Sequence, residues 1–256
     1  MLELIIAASA ILYALGIAAL WRKAGLGRGI RLAQAARFAL GWLTLAAALL
    51  SPIDEAAERS FAAHMVQHEL LMVLAAPLLV LGRPLEAWAW ALPDGVKRSL
   101  AAIARARAVR RAWSWITGPL GAWIVHALAL WAWHLPVLFA AALASPPIHV
   151  LQHASFFGSA LAFWWAVFGR GVRAPDATSI ASVFTTMLHT SLLGALLTFA
   201  PTALYGGTLE DQQLGGLVMW VPGGFAYLVA GLAIAARWLR EARPPRSRIA
   251  DSRAAS

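Results

Sequence analysis

The chain of 256 residues contains no cysteine and few charged residues. The absence of cysteine excludes disulfides, thiolate zinc sites and cysteine-based copper relays, so any metal site must use His, Met, carboxylate or backbone ligands. Charged residues make up 13% of the chain, against roughly 25% in ordinary soluble domains. Hydrophobic residues make up 61%. A water-soluble domain of this length could not bury so much apolar surface, and the composition therefore predicts a polytopic membrane protein.

Seven apolar runs are each long enough to cross a hydrocarbon layer of about 30 Å as a helix. They predict an all-α bundle of seven transmembrane helices. The predicted spans are residues 2–20, 34–52, 61–81, 120–140, 148–168, 179–200 and 214–236. Pro77 predicts a bend in the third span, and Pro222-Gly223-Gly224 predicts a bend or a close helix contact in the seventh. We expect one membrane domain over residues 1–240, followed by a disordered Arg/Pro/Ser-rich tail over residues 241–256.

Basic residues predict the orientation of these spans. All of the 21 Lys and Arg residues except Arg59 fall in or beside the connectors after spans one, three and five or in the C-terminal tail. The positive-inside rule then places the N-terminus outside and the C-terminus in the cytoplasm. The net charge of +9 is accordingly a signal of topology and of contact with anionic lipid, and nucleic acid is not an expected partner.

The longest basic segment, residues 93–113, has the pattern of an amphipathic helix. Asp94 is suited to its N-cap, and Val96, Leu100 and Ile103 follow at helical spacing. We expect this helix to lie on the anionic cytoplasmic leaflet. A solvated basic loop is the alternative.

A five-residue pattern occurs twice, each time near the start of a span. His64-Met65-Val66-Gln67-His68 begins the third span and His149-Val150-Leu151-Gln152-His153 the fifth. Histidines four residues apart lie on one face of a helix, and polar groups inside a membrane usually face the bundle interior and mark a site. With both spans entering from the outer face, the two pairs occupy one outer layer. We therefore predict that they converge on one metal ion, with each glutamine orienting a ring.

Other side chains extend this predicted site. Span four places His134 in the same layer and His126 deeper, whereas His189 falls near the middle of span six. Met72 lies one turn past His68, and a thioether beside imidazole favours copper over zinc. For His126 we expect a packing role. The predicted metal ligands are His64, His68, His134, His149, His153, His189 and Met72.

Alternative functions use the same histidines. Histidines on facing helices can ligate haem, so a b-type haem protein is one alternative. A di-iron hydroxylase or desaturase is less favoured, since those sites typically need more histidines on the cytoplasmic side. No activated nucleophile, phosphate-binding loop or catalytic carboxylate pair occurs at a suitable place, so we do not expect an enzyme. The role of Glu69 is open between a helix contact and a proton path.

Three stretches of the chain form recognisable motifs. They are the third span, where the first histidine pair runs into Ala76-Pro77-Leu78-Leu79-Val80-Leu81-Gly82-Arg83-Pro84, then Trp131-Ala132-Trp133-His134-Leu135-Pro136, and Ile148-His149-Val150-Leu151-Gln152-His153. Together they resemble the CtaG-type family of caa3 cytochrome c oxidase assembly proteins. The resemblance covers most of the chain up to about Arg240. It implies a seven-helix protein of the bacterial inner membrane that supports oxidase maturation, with the oxidase subunits as partners and copper as the metal handled. Glu69 departs from the family pattern, in which an apolar residue or Met is more usual.

Overall fold

The computed structural model describes residues 2–168 and 177–241, and these residues form helices and turns without a strand. The α-helices are α1 (Leu2–Ala24), α2 (Leu32–Leu50), α3 (Pro52–Ala57), α4 (Phe61–Glu69), α5 (Ala76–Leu81), α6 (Pro84–Ala91), α7 (Asp94–Arg105), α8 (Arg107–Ile116), α9 (Pro119–Trp133), α10 (Pro136–Ala144), α11 (Pro146–Phe168), α12 (Ala177–Thr198), α13 (Leu209–Val218) and α14 (Gly224–Glu241). The predicted connector after the fifth span and residues 242–256 of the predicted tail lie outside the described residues.

Five helical segments in the described part of the chain are long and apolar enough to cross a membrane. They are Glu3–Ala24, Leu32–Leu50, Phe61–Leu81, Ala177–Thr198 and Leu209–Glu241. A sixth is obtained if α8 and α9, which meet at a bend of 70°, count as one broken span. Helix α11 has 23 residues, but polar side chains near its start lower its hydropathy. The described residues thus have the all-helical architecture of a multi-pass membrane protein. The count of seven spans and the orientation of the termini stay predictions.

Both prolines for which a bend was predicted, Pro77 and Pro222, lie beside or within a π-helical segment. Residues Leu70–Ala75 precede Pro77, and the Ala76 amide donates to the carbonyl five residues back, at Leu71. The second segment, Met219–Gly223, contains Pro222. Proline lacks an amide hydrogen and clashes with the carbonyl of residue i−4, so a locally wider helix accommodates it. Each long span therefore continues through its proline with an altered hydrogen-bond pattern.

Two predicted helices are shorter than expected. The fourth span was expected to reach residue 140, but α9 ends at Trp133, because Pro136 disfavours helical backbone at the preceding residue and starts α10 instead. The basic segment forms two helices, α7 and α8, which are separated at Ala106. Its N-cap is Pro93, and Asp94 occupies the first helical position.

Helix α11 lies at the centre of the packing, against α9, α10, α5 and the first π segment. Its buried Phe156, Phe163 and Trp164 form the main apolar cluster together with Tyr227 of α14. The Trp164 indole donates to the carbonyl of Met72 at 2.8 Å and so joins α11 to the first π segment. This packing holds α11 beside the third span, where the repeated histidine pattern lies on both helices.

Candidate functional site

The structure brings the two histidine pairs into one cluster. His64 and His68 project from α4, and His149 and His153 project from α11. Within each pair the ring centroids lie 4.3 Å apart. Between the helices, the His64 ring lies 5.3 Å from that of His149 and 5.8 Å from that of His153, and His68 lies 5.2 Å from His153. The four rings therefore face one shared volume between the helices.

The spacing of the ring nitrogens suits a metal ion. One nitrogen from each of His64, His149 and His153 lies within 4.8 Å of the other two. Metal–nitrogen bonds of about 2 Å hold donors roughly 3.3 Å apart in a tetrahedral site. Metal binding would therefore require these nitrogens to approach one another by at most about 1.5 Å.

Hydrogen bonds fix the orientation of two rings in this region. Nδ1 of His64 lies 3.3 Å from the carbonyl of Ala57, and Nδ1 of His134 lies 2.7 Å from the carbonyl of Leu130. A carbonyl can only accept, so Nδ1 carries the hydrogen in both rings and Nε2 presents its lone pair. This is the arrangement in which an imidazole binds metal while its other nitrogen is held by an outer partner.

Six buried ring nitrogens of the cluster have no hydrogen-bond partner among the described residues. They are Nε2 of His64, both nitrogens of His68, and Nε2 of His134, His149 and His153. Buried polar groups in proteins nearly always have a partner, so such a concentration calls for a ligand. A cation that accepts several lone pairs supplies what neutral imidazoles lack.

His134 lies beside the two pairs, as expected. It caps the C-terminus of α9, is buried, and interacts electrostatically with His64 and His68. The hydroxyl of Tyr205, in the loop before α13, donates to the His134 carbonyl at 2.6 Å. Burial raises the pKa of Tyr205 to about 12, so the hydroxyl keeps its hydrogen at neutral pH.

The acidic connector around α3 borders the cluster. Asp54 and Glu58 are close enough to His149 to interact electrostatically with its ring. Asp54 is held in place by Gln67, whose amide donates to its carboxylate at 2.6 Å and to the carbonyl of Ala48 at 2.8 Å. Carboxylates at the edge of a histidine cluster raise the local concentration of cations.

The two glutamines of the repeated pattern differ in what they contact. Gln67 was expected to orient a ring, but its amide nitrogen bonds Asp54 and Ala48 instead. Gln152 is fully buried, and its amide lies close enough to the His64 ring to interact with it, although the contact does not have the geometry of a full hydrogen bond. Gln152 is therefore the glutamine that remains available to the site.

Asp211 is a supporting residue that the sequence did not reveal. Its carboxylate accepts from the Ser60 hydroxyl at 2.7 Å and from the amides of Phe61 and Ala62 at 2.6 and 3.2 Å. It thereby caps the N-terminus of α4 from the start of α13 and fixes the helix that carries His64 and His68. The contact joins residues 150 positions apart, and no local pattern marks it.

Two predicted ligands lie elsewhere. The His189 ring lies 5.8 Å from that of Trp123 and interacts electrostatically with His126, in a separate polar group between α9 and α12. The Met72 side chain belongs to the apolar cluster around Phe156. The structure thus brings five of the seven predicted ligands together, namely His64, His68, His134, His149 and His153.

Glu69 points away from the cluster and toward the second π segment. Its carboxylate lies only 2.7–3.0 Å from the place that a Cβ atom added to Gly223 would take, and Oε2 is buried without a hydrogen-bond partner in the described part of the chain. The absence of a side chain at Gly223 therefore makes room for Glu69, which favours the helix-contact interpretation of this residue.

The fold and the site define an all-helical, membrane-spanning type of protein with a buried histidine cluster near one end of its central helices. The model of the cytochrome c oxidase caa3 assembly factor family matches residues 11–241, about nine tenths of the chain, and the chain belongs to this family. No curated protein and no solved structure matches it.

Proposed function

We propose that this protein supports the maturation of a haem-copper cytochrome c oxidase by receiving copper at the histidine cluster and passing it on. The observation that carries the proposal is the convergence of five imidazoles with six buried ring nitrogens that lack a partner among the described residues. Membership of the assembly-factor family supplies the oxidase as the client. The cargo ion is a ligand of the site and is not consumed in a reaction, so the protein acts without turning over a substrate.

The chemistry of the ligands favours an ion that is bound and released. Imidazole binds copper in both oxidation states, and a site without thiolate holds it less tightly than a closed cysteine site. The sequence contains no cysteine at all. Met72 packs in the apolar cluster, so its thioether gives no support for copper over zinc. The argument for copper therefore rests on the imidazole ligands and on the copper requirement of the client oxidase.

The proposed orientation places this cluster on the outer side of a bacterial inner membrane. It follows from the distribution of basic residues and puts the N-terminus outside and the C-terminus in the cytoplasm. The acidic connector that contains Asp54 and Glu58 then faces the periplasm, where copper arrives. Carboxylates would attract the ion, and the less polar cluster behind them would bind it.

Haem binding, the alternative, is less favoured by the geometry. A haem must place its macrocycle between two axial rings that lie on opposite faces. Neighbouring rings among His64, His68, His149 and His153 instead have centroids only 4.3–5.8 Å apart, in direct contact or close to it. Visible absorption of the purified protein distinguishes the two functions, and we expect no Soret band.

The test combines a gene deletion with metal analysis. The deletion should lower both the activity and the copper content of the client oxidase. A variant with His64→Ala, His68→Ala, His149→Ala and His153→Ala should insert in the membrane, retain no copper after purification, and restore neither property. The matched control is His126→Ala, which removes a buried histidine of the other polar group and should keep copper bound. Full oxidase activity in the deletion strain under limiting copper contradicts the proposal.

A further inference from the structure

A cavity of about 450 Å³ lies between α1, α2, α5, α6, α8 and α11. Its volume is within the range of about 300–1,000 Å³ that is usual for small-molecule sites. Aromatic side chains from four helices line it, namely Trp42, Trp88, Trp113 and Trp165. The cavity lies toward the C-terminal ends of α5 and α11, whereas the histidine cluster lies toward the start of α4 and of α11.

The walls of this cavity offer few hydrogen-bonding groups to an occupant. The hydroxyls of Ser9 and Thr117 each donate to a backbone carbonyl one turn earlier, at 2.7 Å. The indoles of Trp42 and Trp88 donate to backbone carbonyls of α1 at 2.8 and 3.0 Å. Because these groups are already paired, the cavity is suited to a hydrocarbon chain and not to a polar molecule.

Helix α8 adds positive charge beside this apolar volume. Trp113, and Ile116 one turn later, line the cavity, and Arg110 precedes Trp113 by one turn. Arg107 and Arg111 lie on the same helix. All three arginines are exposed, and none forms an ion pair with another described residue. Helix α8 buries none of its residues against the rest of the described chain.

We propose that one anionic phospholipid binds here, with an acyl chain in the cavity and its phosphodiester against the arginines of α8. Charge complementarity selects this occupant, since guanidinium groups bind phosphate oxygens in bidentate geometry. A zwitterionic phospholipid would bring its own cation beside a helix that already carries three. The lipid would hold the otherwise unburied α8 against the membrane domain. This site does not depend on copper binding.

The proposal can be tested by native mass spectrometry of the full-length protein in a mild detergent. The protein is exposed to equimolar phosphatidylglycerol and phosphatidylcholine with identical acyl chains. Wild type should retain one phosphatidylglycerol in clear preference. Each basic residue near a membrane surface contributes roughly five-fold to the binding of an anionic lipid. The variant with Arg107→Gln, Arg110→Gln and Arg111→Gln should therefore lose at least about ten-fold of the preference.

A second variant tests the acyl-chain part of the site. Gly158 lines the cavity, and a Cβ atom added there meets nothing within 4 Å. Gly158→Phe should place an aromatic ring inside the cavity and abolish retention of the lipid while copper binding stays unchanged. If this variant fails to fold, Gly158→Leu fills less volume and should give a smaller loss of lipid in the same direction.

Two matched controls complete the experiment. Arg22→Gln, Arg28→Gln and Arg31→Gln remove the same charge from exposed positions that neither line the cavity nor adjoin a lining residue, and should leave the preference intact. Gly95→Phe adds the same ring at a position equally free of neighbours, outside the cavity, and should retain the lipid. The proposal is overturned if wild type retains both lipids equally. It is also overturned if neither Gly158→Phe nor the triple arginine variant of α8 changes the retention of phosphatidylglycerol.

Discussion

Near its start α11 places His149 and His153 against the histidines of α4, whereas about two turns later the same helix lines the apolar cavity with Phe157 and Leu161. At the histidine end, buried ring nitrogens lack partners among the described residues. At the cavity end, hydroxyl and indole groups bond to nearby backbone carbonyls. Both regions belong to the same helix bundle. They differ in whether their polar groups are paired, and this decides which kind of ligand each region can bind.

The comparison shows how to distinguish a binding site from a packing defect. A polar region whose buried groups are unpaired requires a polar ligand, because an unsatisfied buried group costs about 1–3 kcal/mol. An apolar cavity has no such requirement, and its occupant must be identified from charges around it. The three predictions below test this distinction between the two ends, from the largest expected effect to the smallest.

The largest effect is expected for removal of two ligands from the histidine end. The variant with His64→Ala and His153→Ala should weaken copper binding by more than about 100-fold, since loss of even an outer-shell partner costs about 10–100-fold. Competition with a chromophoric copper(I) chelator measures this. Gly158→Phe, at the cavity end, should leave the affinity unchanged. Equal losses in the two variants would show that the ends are not independent.

An intermediate effect is expected for the residue that supports the histidine end from α13. Asp211→Ala removes the acceptor for the Ser60 hydroxyl and for two amides of α4. Hydrogen bonds to a charged group contribute about 1.5–3 kcal/mol, so the free energy of unfolding should fall by roughly 2 kcal/mol. Thermal unfolding in detergent measures the change. The neighbouring exposed Glu210→Ala is the control, and a loss of the same size there would contradict the capping role.

The smallest effect is expected for a pair of glycines, one at each end. A Cβ atom at Gly158 meets nothing within 4 Å, so Gly158→Ala should stabilise α11 by about 0.5–1 kcal/mol through helix propensity. At Gly215 the same atom would overlap the Phe61 ring, which is stacked on Tyr205 at 4.7 Å. Gly215→Ala should therefore destabilise the protein by about 1–3 kcal/mol. Shifts of opposite sign in thermal unfolding would support the contrast, and shifts of the same sign would refute it.

Much of the candidate site was predictable from the sequence because the signals were local. Histidines four residues apart share a helix face at any position in a fold, and a second copy of the same pattern indicated a second helix at the same site. The helices of spans two, five and six begin or end close to the predicted boundaries. Pro77 lies beside the first π segment and Pro222 within the second, where the sequence predicted a bend at the former and a bend or a close helix contact at the latter.

Other features were not predictable, because they depend on contacts between distant residues. Met72 has the same spacing from His68 as His64 does, yet the first π segment begins at Leu70 and the Met72 side chain packs among apolar residues. His189 was assigned to the cluster from its span alone, and it lies beside Trp123 instead. Spacing along a helix cannot show which neighbouring helix a side chain meets.

The sequence by itself determined that the chain is helical and apolar, that a histidine pair occurs on each of two helices, and that thiolate chemistry is excluded. These properties follow from composition and from helical periodicity, which are local. Only the tertiary structure decided that the two pairs face each other, that Asp211 caps α4, and that Trp113 and Ile116 of α8 line an apolar cavity. Such features arise when helices far apart in the chain pack together, and the packing depends on the shapes of all the side chains at once.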